Sequence, residues 1–315
     1  MPSTQNSPRI KPPALRSGDR VGVVAPASNI KRELLEQGCE RLRELGYDPV
    51  YDESILERDL YFAGTVERRK RELEGMFTRE DIRAILCARG GYGSNYLLNA
   101  LSPSKILAHP KIFVAYSDLT SLLTCFADSA GFVTFHGPMV TKDFAVDGGV
   151  DMHSWSAALS GEPEWQITGS GAKALAAGRA EGTLYGGCLS ILVASLGTPH
   201  EIRTEGTLLF LEDLAAKPYQ IDRMLMQLKL ANKFAGVRGV IFGEMIDCRQ
   251  GPGQDYTLEE VVMRVIGDLK IPVVFGMRSG HVSRANITLP LGVKARLEVG
   301  NDVALTILEA ATERP

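Results

Sequence analysis

One segment, residues 111–123, constrains the fold more than any other. Its sequence KIFVAYSDLTSLL starts as an apolar strand and passes through Ser117 directly into an amphipathic helix. A serine between a parallel strand and a helix has its hydroxyl at the carboxyl edge of the sheet, where open α/β sheets bind ligands. The first N–H groups of the helix can hold an oxyanion there. The G-x-S-x-G pattern of a nucleophile elbow is absent, so layout alone favours a serine that only caps the helix.

The first half of the chain alternates apolar strands with helical patterns. The strand candidates are RVGVVAP (20–26), IRAILCA (82–88), IFVAY (112–116) and FVTF (132–135). Repeated β–α units of this length predict an α/β fold with a doubly wound, mostly parallel sheet and helices on both of its faces. In the second half, strands and helices alternate until three short segments, ITLPLG, KARLEV and VALTIL, which indicate an antiparallel or barrel-like end.

Glycine content suggests where the chain divides. Residues 161–182 contain five glycines, Gly169 among them, and no long apolar run. We therefore predict an N-terminal α/β domain over 14–160, a linker over 161–182 and a C-terminal domain over 183–310. The polar, proline-rich N-terminus is expected to be a loose leader.

Composition excludes several classes of function. The net charge of −3 gives no electrostatic footprint for nucleic acid, and no run approaches the ~20 apolar residues of a membrane span. The five cysteines are scattered without a C-x-x-C pair, so neither a disulfide framework nor a zinc site is indicated. These features fit a cytoplasmic enzyme.

Polar residues follow several of the predicted strands. They are Arg89-Gly90-Gly91-Tyr92-Gly93, Ser117-Asp118, His136-Gly137-Pro138 and Glu212-Asp213. Together they contain a nucleophile, a base and a carboxylate, which are the parts of a hydrolytic triad. The glycine-rich run is either a tight turn or a close backbone approach to substrate that aims an N–H at a carbonyl oxygen.

The base and the carboxylate are less sharply indicated than the serine. Of five histidines, three are expected to be structural or exposed: His109, His153 and His200. His136 and His281 remain, and the residues alone do not separate them. Glu212 is the best carboxylate candidate because it directly follows the run LLFL, with Glu244 second. The alternative is that Glu212 or Asp213 only caps the next helix.

At this point the sequence resembles the LD-carboxypeptidases, or muramoyltetrapeptide carboxypeptidases, whose relatives include the microcin C immunity peptidases. The matching motifs are LRSGDRVGVVAPAS (15–28), YFAGTVERR (61–69), ILCARGGYG (85–93), VAYSD (114–118), FHGPM (135–139), LYGGCLSIL (184–192), LLFLED (208–213), YQIDRML (219–225) and GHVSRANITLPLG (280–292). No motif is decisive alone, but so many in one order are highly specific.

The resemblance implies a catalytic triad of Ser117 as nucleophile, Glu212 as carboxylate and His281 as base, in a site at the domain interface. It also implies a flavodoxin- or Rossmann-like N-terminal domain, a smaller β-rich C-terminal domain with flanking helices, and a homodimer. Val282 departs from the glycine that many members have after the histidine.

The implied reaction is removal of the terminal D-alanine from a murein tetrapeptide or muropeptide, without metal or organic cofactor. We expect the backbone N–H groups of Gly91 and Asp118 to form the oxyanion hole. Arg89 is the first candidate to bind the terminal carboxylate, ahead of Arg223 and Arg284.

Two rival functions stay open. One is an immunity-type peptidase that cleaves a peptidyl-nucleotide; stacking a base would require an aromatic platform, and the two tryptophans, Trp155 and Trp165, lie near the predicted linker. The other is a non-catalytic two-domain ligand-binding protein. The sequence leaves open whether lysine or meso-diaminopimelate is preferred, and whether the free peptide or the muropeptide is.

Overall fold

The computed structural model describes residues 9–168 and 171–314, which form two compact units. The first unit comprises the chain up to Pro163 together with Arg284–Gly292 and the segment from Ala310. The second comprises Glu164–Ser283 and Val293–Glu309. None of the helices in the described ranges is both long and apolar enough to cross a membrane.

Each unit contains one β-sheet and several helices. The strands are β1 (Arg20–Val24), β2 (Asp48–Val50), β3 (Ile82–Cys87), β4 (Ile112–Ala115), β5 (Thr134–His136), β6 (Trp165–Ile167), β7 (Lys173–Ala176), β8 (Gly178–Cys188), β9 (Thr207–Glu212), β10 (Gly239–Gly243), β11 (Val273–Met277), β12 (Leu289–Leu291), β13 (Lys294–Val299) and β14 (Val303–Ile307). The α-helices are α1 (Arg32–Glu44), α2 (Val66–Thr78), α3 (Pro103–Leu107), α4 (Thr120–Cys125), α5 (Met152–Leu159), α6 (Leu189–Ala194), α7 (Pro218–Leu230) and α8 (Leu258–Ile266). The shorter helical turns are Glu53–Leu56, Ser94–Leu97, Ser117–Leu119, Phe126–Ala130, Val140–Phe144 and Gly267–Leu269.

The first unit has a six-stranded sheet in the order β12-β5-β4-β3-β1-β2. All neighbours in it pair in parallel except β12, which pairs antiparallel with β5. The order β2-β1-β3-β4-β5 is that of flavodoxin-like sheets, and it reverses direction between β1 and β3. The predicted doubly wound sheet is therefore confirmed, and its carboxyl edge at β1, β3 and β4 is where a ligand site is expected.

Local sequence signals explain where two helices of this unit begin and end. The Thr65 side chain accepts a hydrogen bond from the N–H of Arg68 at 3.2 Å and so caps α2. After α1, Gly46 has a φ of +87° and its N–H donates to the Arg43 carbonyl at 2.8 Å, as predicted for a glycine that ends a helix.

The second unit has an eight-stranded sheet in the order β6-β14-β13-β8-β9-β10-β11-β7. Its centre, β8 to β11, is parallel, while β7, β13, β14 and β6 pair antiparallel. The predicted β-rich fold of the C-terminal half, with antiparallel strands near its end, is therefore confirmed. The segment ITLPLG is an exception, because its strand β12 joins the sheet of the first unit.

The glycine-rich segment 161–182, which the sequence predicted to be a linker, contributes strands to the second sheet. It contains β6, β7 and the first part of β8, while Gly169 lies outside the described residues. Glycine is required inside β8 for steric reasons, since a Cβ on Gly182 would come within 2.7 Å of the Gly206 carbonyl oxygen on the neighbouring chain segment. Gly182 therefore allows close strand packing.

Residues 1–8 of the predicted N-terminal leader lie outside the described residues, and the part from Arg9 onward packs in the first unit. Ile10 pairs with Phe132, and the N–H of Leu15 donates to the Leu159 carbonyl at 2.8 Å. Ala14 and Leu15 are buried, so apolar burial fixes this segment in the first unit.

Candidate active site

Ser117 lies immediately past the carboxyl end of β4, in the first unit, and its backbone is strained. Its φ is +65°, the left-handed region that serine rarely adopts and that costs about 1–3 kcal/mol. Its side chain does not cap the helix. The N-cap residue of the turn Ser117–Leu119 is Tyr116, and that of α4 is Leu119. The residue is partly exposed while its neighbours are buried. This conformation presents the hydroxyl at the sheet edge, as on a nucleophile elbow.

The glycine-rich loop after β3 packs directly against Ser117. A Cβ placed on Gly90 would lie 2.9 Å from the Ser117 Cβ, 3.1 Å from its Oγ and 3.3 Å from the Asp118 nitrogen. The next residue, Gly91, has a φ of +101°, and a Cβ there would lie 2.3 Å from the Ser28 Oγ. The loop is therefore a tight turn whose backbone lies beside the serine.

The Asp118 side chain holds this loop in place, a role that the sequence did not suggest. Asp118 is buried, and its Oδ2 accepts a hydrogen bond from the Ser94 N–H at 2.9 Å. Its carbonyl oxygen accepts from the Ser94 Oγ at 2.7 Å. These two hydrogen bonds connect Ser94, which follows the glycine-rich loop, to the turn that contains Ser117.

Glu212 and His281 form a hydrogen-bonded pair in the second unit. The His281 Nδ1 lies 2.7 Å from the Glu212 Oε2, and the His281 backbone N–H donates to the same oxygen at 3.2 Å. Glu212 is fully buried at the end of β9, between β8 and β10. Because a carboxylate only accepts hydrogen bonds, Nδ1 carries the proton and Nε2 is left as an acceptor. A histidine in this tautomer can act as a general base.

The neighbouring carboxylates have other partners. Asp213 accepts hydrogen bonds from the N–H groups of Ser190 and Leu214, at 2.9 and 2.8 Å, and so satisfies an N–H in the first turn of α6, while Lys217 is the N-cap residue of the next helix, α7. Burial raises the pKa of Asp213 above its ordinary value. Glu244 accepts from both the N–H and the Oγ of Ser283 at 2.8 Å, and it therefore holds the loop that carries His281.

The remaining histidines occupy unrelated positions. His136 is fully buried on β5, with its ring centroid 5.9 Å from that of Tyr116. It therefore belongs to the core of the first unit. His109 and His153 are exposed and His200 is partly exposed.

The three arginine candidates are all exposed. Arg89 lies in the glycine-rich loop, and its guanidinium donates to the Asn29 carbonyl at 3.3 Å. The Arg223 guanidinium lies 5.9 Å from the ring centroid of Tyr219 in the second unit. Arg284 directly follows Ser283, and Arg89 directly precedes Gly90, which packs against Ser117.

Known proteins match both halves of the chain. Residues 21–137 match the LD-carboxypeptidase N-terminal domain, and residues 181–297 match the LD-carboxypeptidase C-terminal domain. The probable murein peptide carboxypeptidase of Bacillus subtilis is 38% identical over 302 residues, covering 94% of this chain and 93% of the relative.

Solved structures agree in fold. The muramoyltetrapeptide carboxypeptidase of Oxalobacter formigenes matches with a TM-score of 0.82 and 27% identity, over 94% of this chain and 99% of that one. A mutant of the microcin C7 self-immunity protein MccF in complex with adenosine monophosphate matches with a TM-score of 0.89 and 25% identity, over 96% and 100% of the two chains. The chain therefore belongs to the LD-carboxypeptidase family, whose members are hydrolases of peptide bonds.

Proposed function

We propose that this protein is a serine LD-carboxypeptidase that removes the terminal D-alanine from murein tetrapeptides. The observation that carries the proposal is the hydrogen bond of 2.7 Å between Glu212 and His281, which is the carboxylate–imidazole pair of a hydrolytic triad. The left-handed backbone of Ser117 at a strand-to-helix turn supplies the matching nucleophile. The proposal requires these groups from the two units to meet in one site.

In the proposed mechanism, His281 Nε2 takes the proton of Ser117 as the Oγ attacks the carbonyl of the L-configured diamino acid centre. Glu212 keeps the imidazole in the required tautomer and stabilises the imidazolium. The N–H groups of Gly91 and Asp118 hold the oxyanion, and one such donor is typically worth about 3–4 kcal/mol. His281 then protonates the departing D-alanine amine, and water hydrolyses the acyl-enzyme through the same base.

Arg89 is proposed to bind the terminal carboxylate of the substrate. A guanidinium forms two parallel hydrogen bonds with a carboxylate, which suits an enzyme that must recognise a chain end. Arg89 is exposed and lies one residue before Gly90, which packs against Ser117.

Two rival functions are less well supported. A non-catalytic binding protein has no need for a buried carboxylate hydrogen-bonded to a histidine. A peptidyl-nucleotide peptidase would need an exposed aromatic ring for stacking, and neither tryptophan supplies one, since Trp155 is 1% and Trp165 6% exposed. We further propose that the protein works in the cytoplasm as a homodimer.

The first test is release of D-alanine, measured by mass spectrometry, from tetrapeptides containing lysine or meso-diaminopimelate. We expect Ser117→Ala to lower kcat by at least about 10³-fold, because the hydroxyl is the attacking group. The matched control is Ser104→Ala, at an exposed serine on α3. If Ser117→Ala kept near-full turnover while Ser104→Ala behaved like the wild type, the mechanism would be wrong.

A further inference from the structure

The segment that contains His281 has no regular secondary structure to fix it. Residues 278–283, which we call the His281 segment, follow the end of β11 and form neither helix nor strand. The next residue, Arg284, already belongs to the first unit. Near the start of the segment, the Ser279 N–H donates to the Met277 carbonyl at 2.9 Å. The position of His281 therefore depends on the contacts that this segment makes with neighbouring strands.

Glu244 binds the far end of the His281 segment with both oxygens of its carboxylate. It directly follows β10, which lies between β9 and β11 in the sheet. Its Oε2 accepts from the Ser283 N–H at 2.8 Å, and its Oε1 accepts from the Ser283 Oγ at 2.8 Å. Hydrogen bonds to an ionised acceptor are about twice as strong as those between neutral groups. Glu244 therefore restrains the backbone two positions after His281 more than a single neutral contact would.

The end of β10 also packs against Glu212. A Cβ placed on Gly243 would lie 2.6 Å from the Glu212 Cβ, so the backbone just before Glu244 touches the buried acidic residue. On the other side of β10, β11 contains one extra residue, Gly276 with a φ of +98°, opposite the last step of β10. A bulge of this kind bends the strand end, and bulges are common beside active sites. The end of β10 therefore contacts Glu212 directly and the His281 segment through Glu244.

The pair formed by Glu212 and His281 is sensitive to the position of this segment. The His281 N–H and its Nδ1 both contact one oxygen of Glu212, at 3.2 and 2.7 Å. A shift of the His281 backbone would therefore disturb both contacts at once. A displacement of about 1 Å in a catalytic group can lower a rate about 100-fold. Whatever fixes the His281 segment thus also fixes the direction of the imidazole.

We propose that Glu244 is a positioning residue for catalysis, because its carboxylate, bound to Ser283, keeps the His281 imidazole on Glu212. In this role Glu244 contacts no reacting atom and acts only through the His281 segment. The inference rests on the proposed carboxypeptidase function and adds a second carboxylate on which the base depends.

The first test is steady-state kinetics of D-alanine release by Glu244 variants. We expect Glu244→Ala to lower kcat about 10-fold to 100-fold and to leave KM within about twofold, because the base moves while the substrate contacts stay. Glu244→Gln keeps one oxygen that can accept from Ser283 and should lower kcat by less than about fivefold. The matched control is Glu205→Ala, at an exposed glutamate in a turn of the second unit, which should behave like the wild type.

A double-mutant cycle tests whether Glu244 acts through Ser283. Ser283→Ala removes the hydroxyl donor but keeps the N–H, and we expect it to lower kcat about threefold. In the double variant, Glu244→Ala with Ser283→Ala, the loss should equal that of Glu244→Ala alone, because both changes remove one contact. Losses that multiply would show that Glu244 acts elsewhere and would overturn the role.

A spectroscopic measurement separates failure of this inference from failure of the proposed function. The Nδ1 proton that lies between His281 and Glu212 should give a low-field proton NMR signal, identified by its loss in Glu212→Gln. We expect this signal to be lost or broadened by exchange in Glu244→Ala and to persist in Glu205→Ala, whether or not turnover occurs. If the wild type releases no D-alanine but the signal depends on Glu244, the proposed function fails while Glu244 still positions His281.

Two further results would overturn the positioning role. The first is an unchanged kcat in Glu244→Ala, whatever its melting temperature; a raised KM with that kcat would make Glu244 a substrate-binding residue. The second is a normal low-field signal in Glu244→Ala although kcat falls, since the loss would then not pass through His281. If Glu244→Ala does not fold, Glu244→Gln and Ser283→Ala replace it, and wild-type kcat and signal in both of them would overturn the role.

Discussion

At the scale of single residues, Gly90 limits the position of Ser117. A methyl group on Gly90 would lie 2.9 Å from the Ser117 Cβ, and neither atom can move easily because the serine backbone is already strained. We therefore expect Gly90→Ala to lower kcat/KM for D-alanine release by about 100-fold or more, since small displacements of catalytic groups have effects of this size. The measurement is steady-state kinetics together with the melting temperature.

The matched control for Gly90→Ala is Gly75→Ala. Gly75 lies inside α2, and a Cβ there meets nothing within 4 Å. Alanine favours a helix over glycine by about 0.5–1 kcal/mol, so this variant should melt at the same or a higher temperature with unchanged activity. Equal activity of the Gly90 and Gly75 variants would show that the loop does not position the serine.

The sequence predicted some of these residues and not others. Glu212 was identifiable because it directly follows an apolar strand, and the structure pairs it with His281. The choice of His281 over His136 needed the family resemblance, because His136 ends a predicted strand, His281 lies in a loop before one, and burial in a core is a tertiary property. Asp118 was noticed only for its backbone, since nothing in the sequence indicates that its side chain accepts from Ser94.

At the scale of secondary-structure elements, the first turn of α2 joins two loops of the sheet edge. The buried Arg69 guanidinium donates to the Pro26 carbonyl at 3.0 Å and to the Gly93 carbonyl at 2.8 Å. Burial lowers the pKa of Arg69. Hydrogen bonds from charged groups contribute about 1.5–3 kcal/mol, so Arg69→Met should reduce the free energy of unfolding by about 2–4 kcal/mol. We expect kcat to fall as well, because Gly93 ends the loop that packs against Ser117.

Chemical denaturation and steady-state kinetics of Arg69→Met check this role, with Arg71→Met as the control. Arg71 is exposed on the same helix, so its variant should stay within about 0.5 kcal/mol of the wild type. A stable Arg69→Met protein with normal kcat would contradict the role. The motif YFAGTVERR was recognisable in the sequence, but this contact was not, because consecutive arginines normally indicate a solvated helix face.

At the scale of the whole molecule, the sequence pattern predicts some of the strand pairings and not others. The alternation of strands and helices along the chain predicted the parallel part of the first unit's sheet. The return of β12 to that sheet, and the pairing of the glycine-rich segment in the second sheet, were missed. Both depend on partners far away in the chain, about which local periodicity carries no information.

The stability of the molecule should also depend on pH through Glu72. This buried carboxyl contacts the Arg68 guanidinium and accepts from the Ala25 N–H at 2.9 Å, yet burial raises its pKa from 4.5 to about 7. Between those values the folded protein holds a proton that the unfolded chain has lost. The contribution of Glu72 to stability is therefore greatest below pH 4.5 and decreases as pH rises to about 7.

We expect the free energy of unfolding of the wild type, relative to Glu72→Gln, to fall by about 1–3 kcal/mol from pH 5 to pH 8 in urea titrations. Glu67→Gln, exposed on the same helix, should show no such trend. A difference that instead rises with pH would mean that the Arg68 ion pair outweighs desolvation and keeps Glu72 ionised.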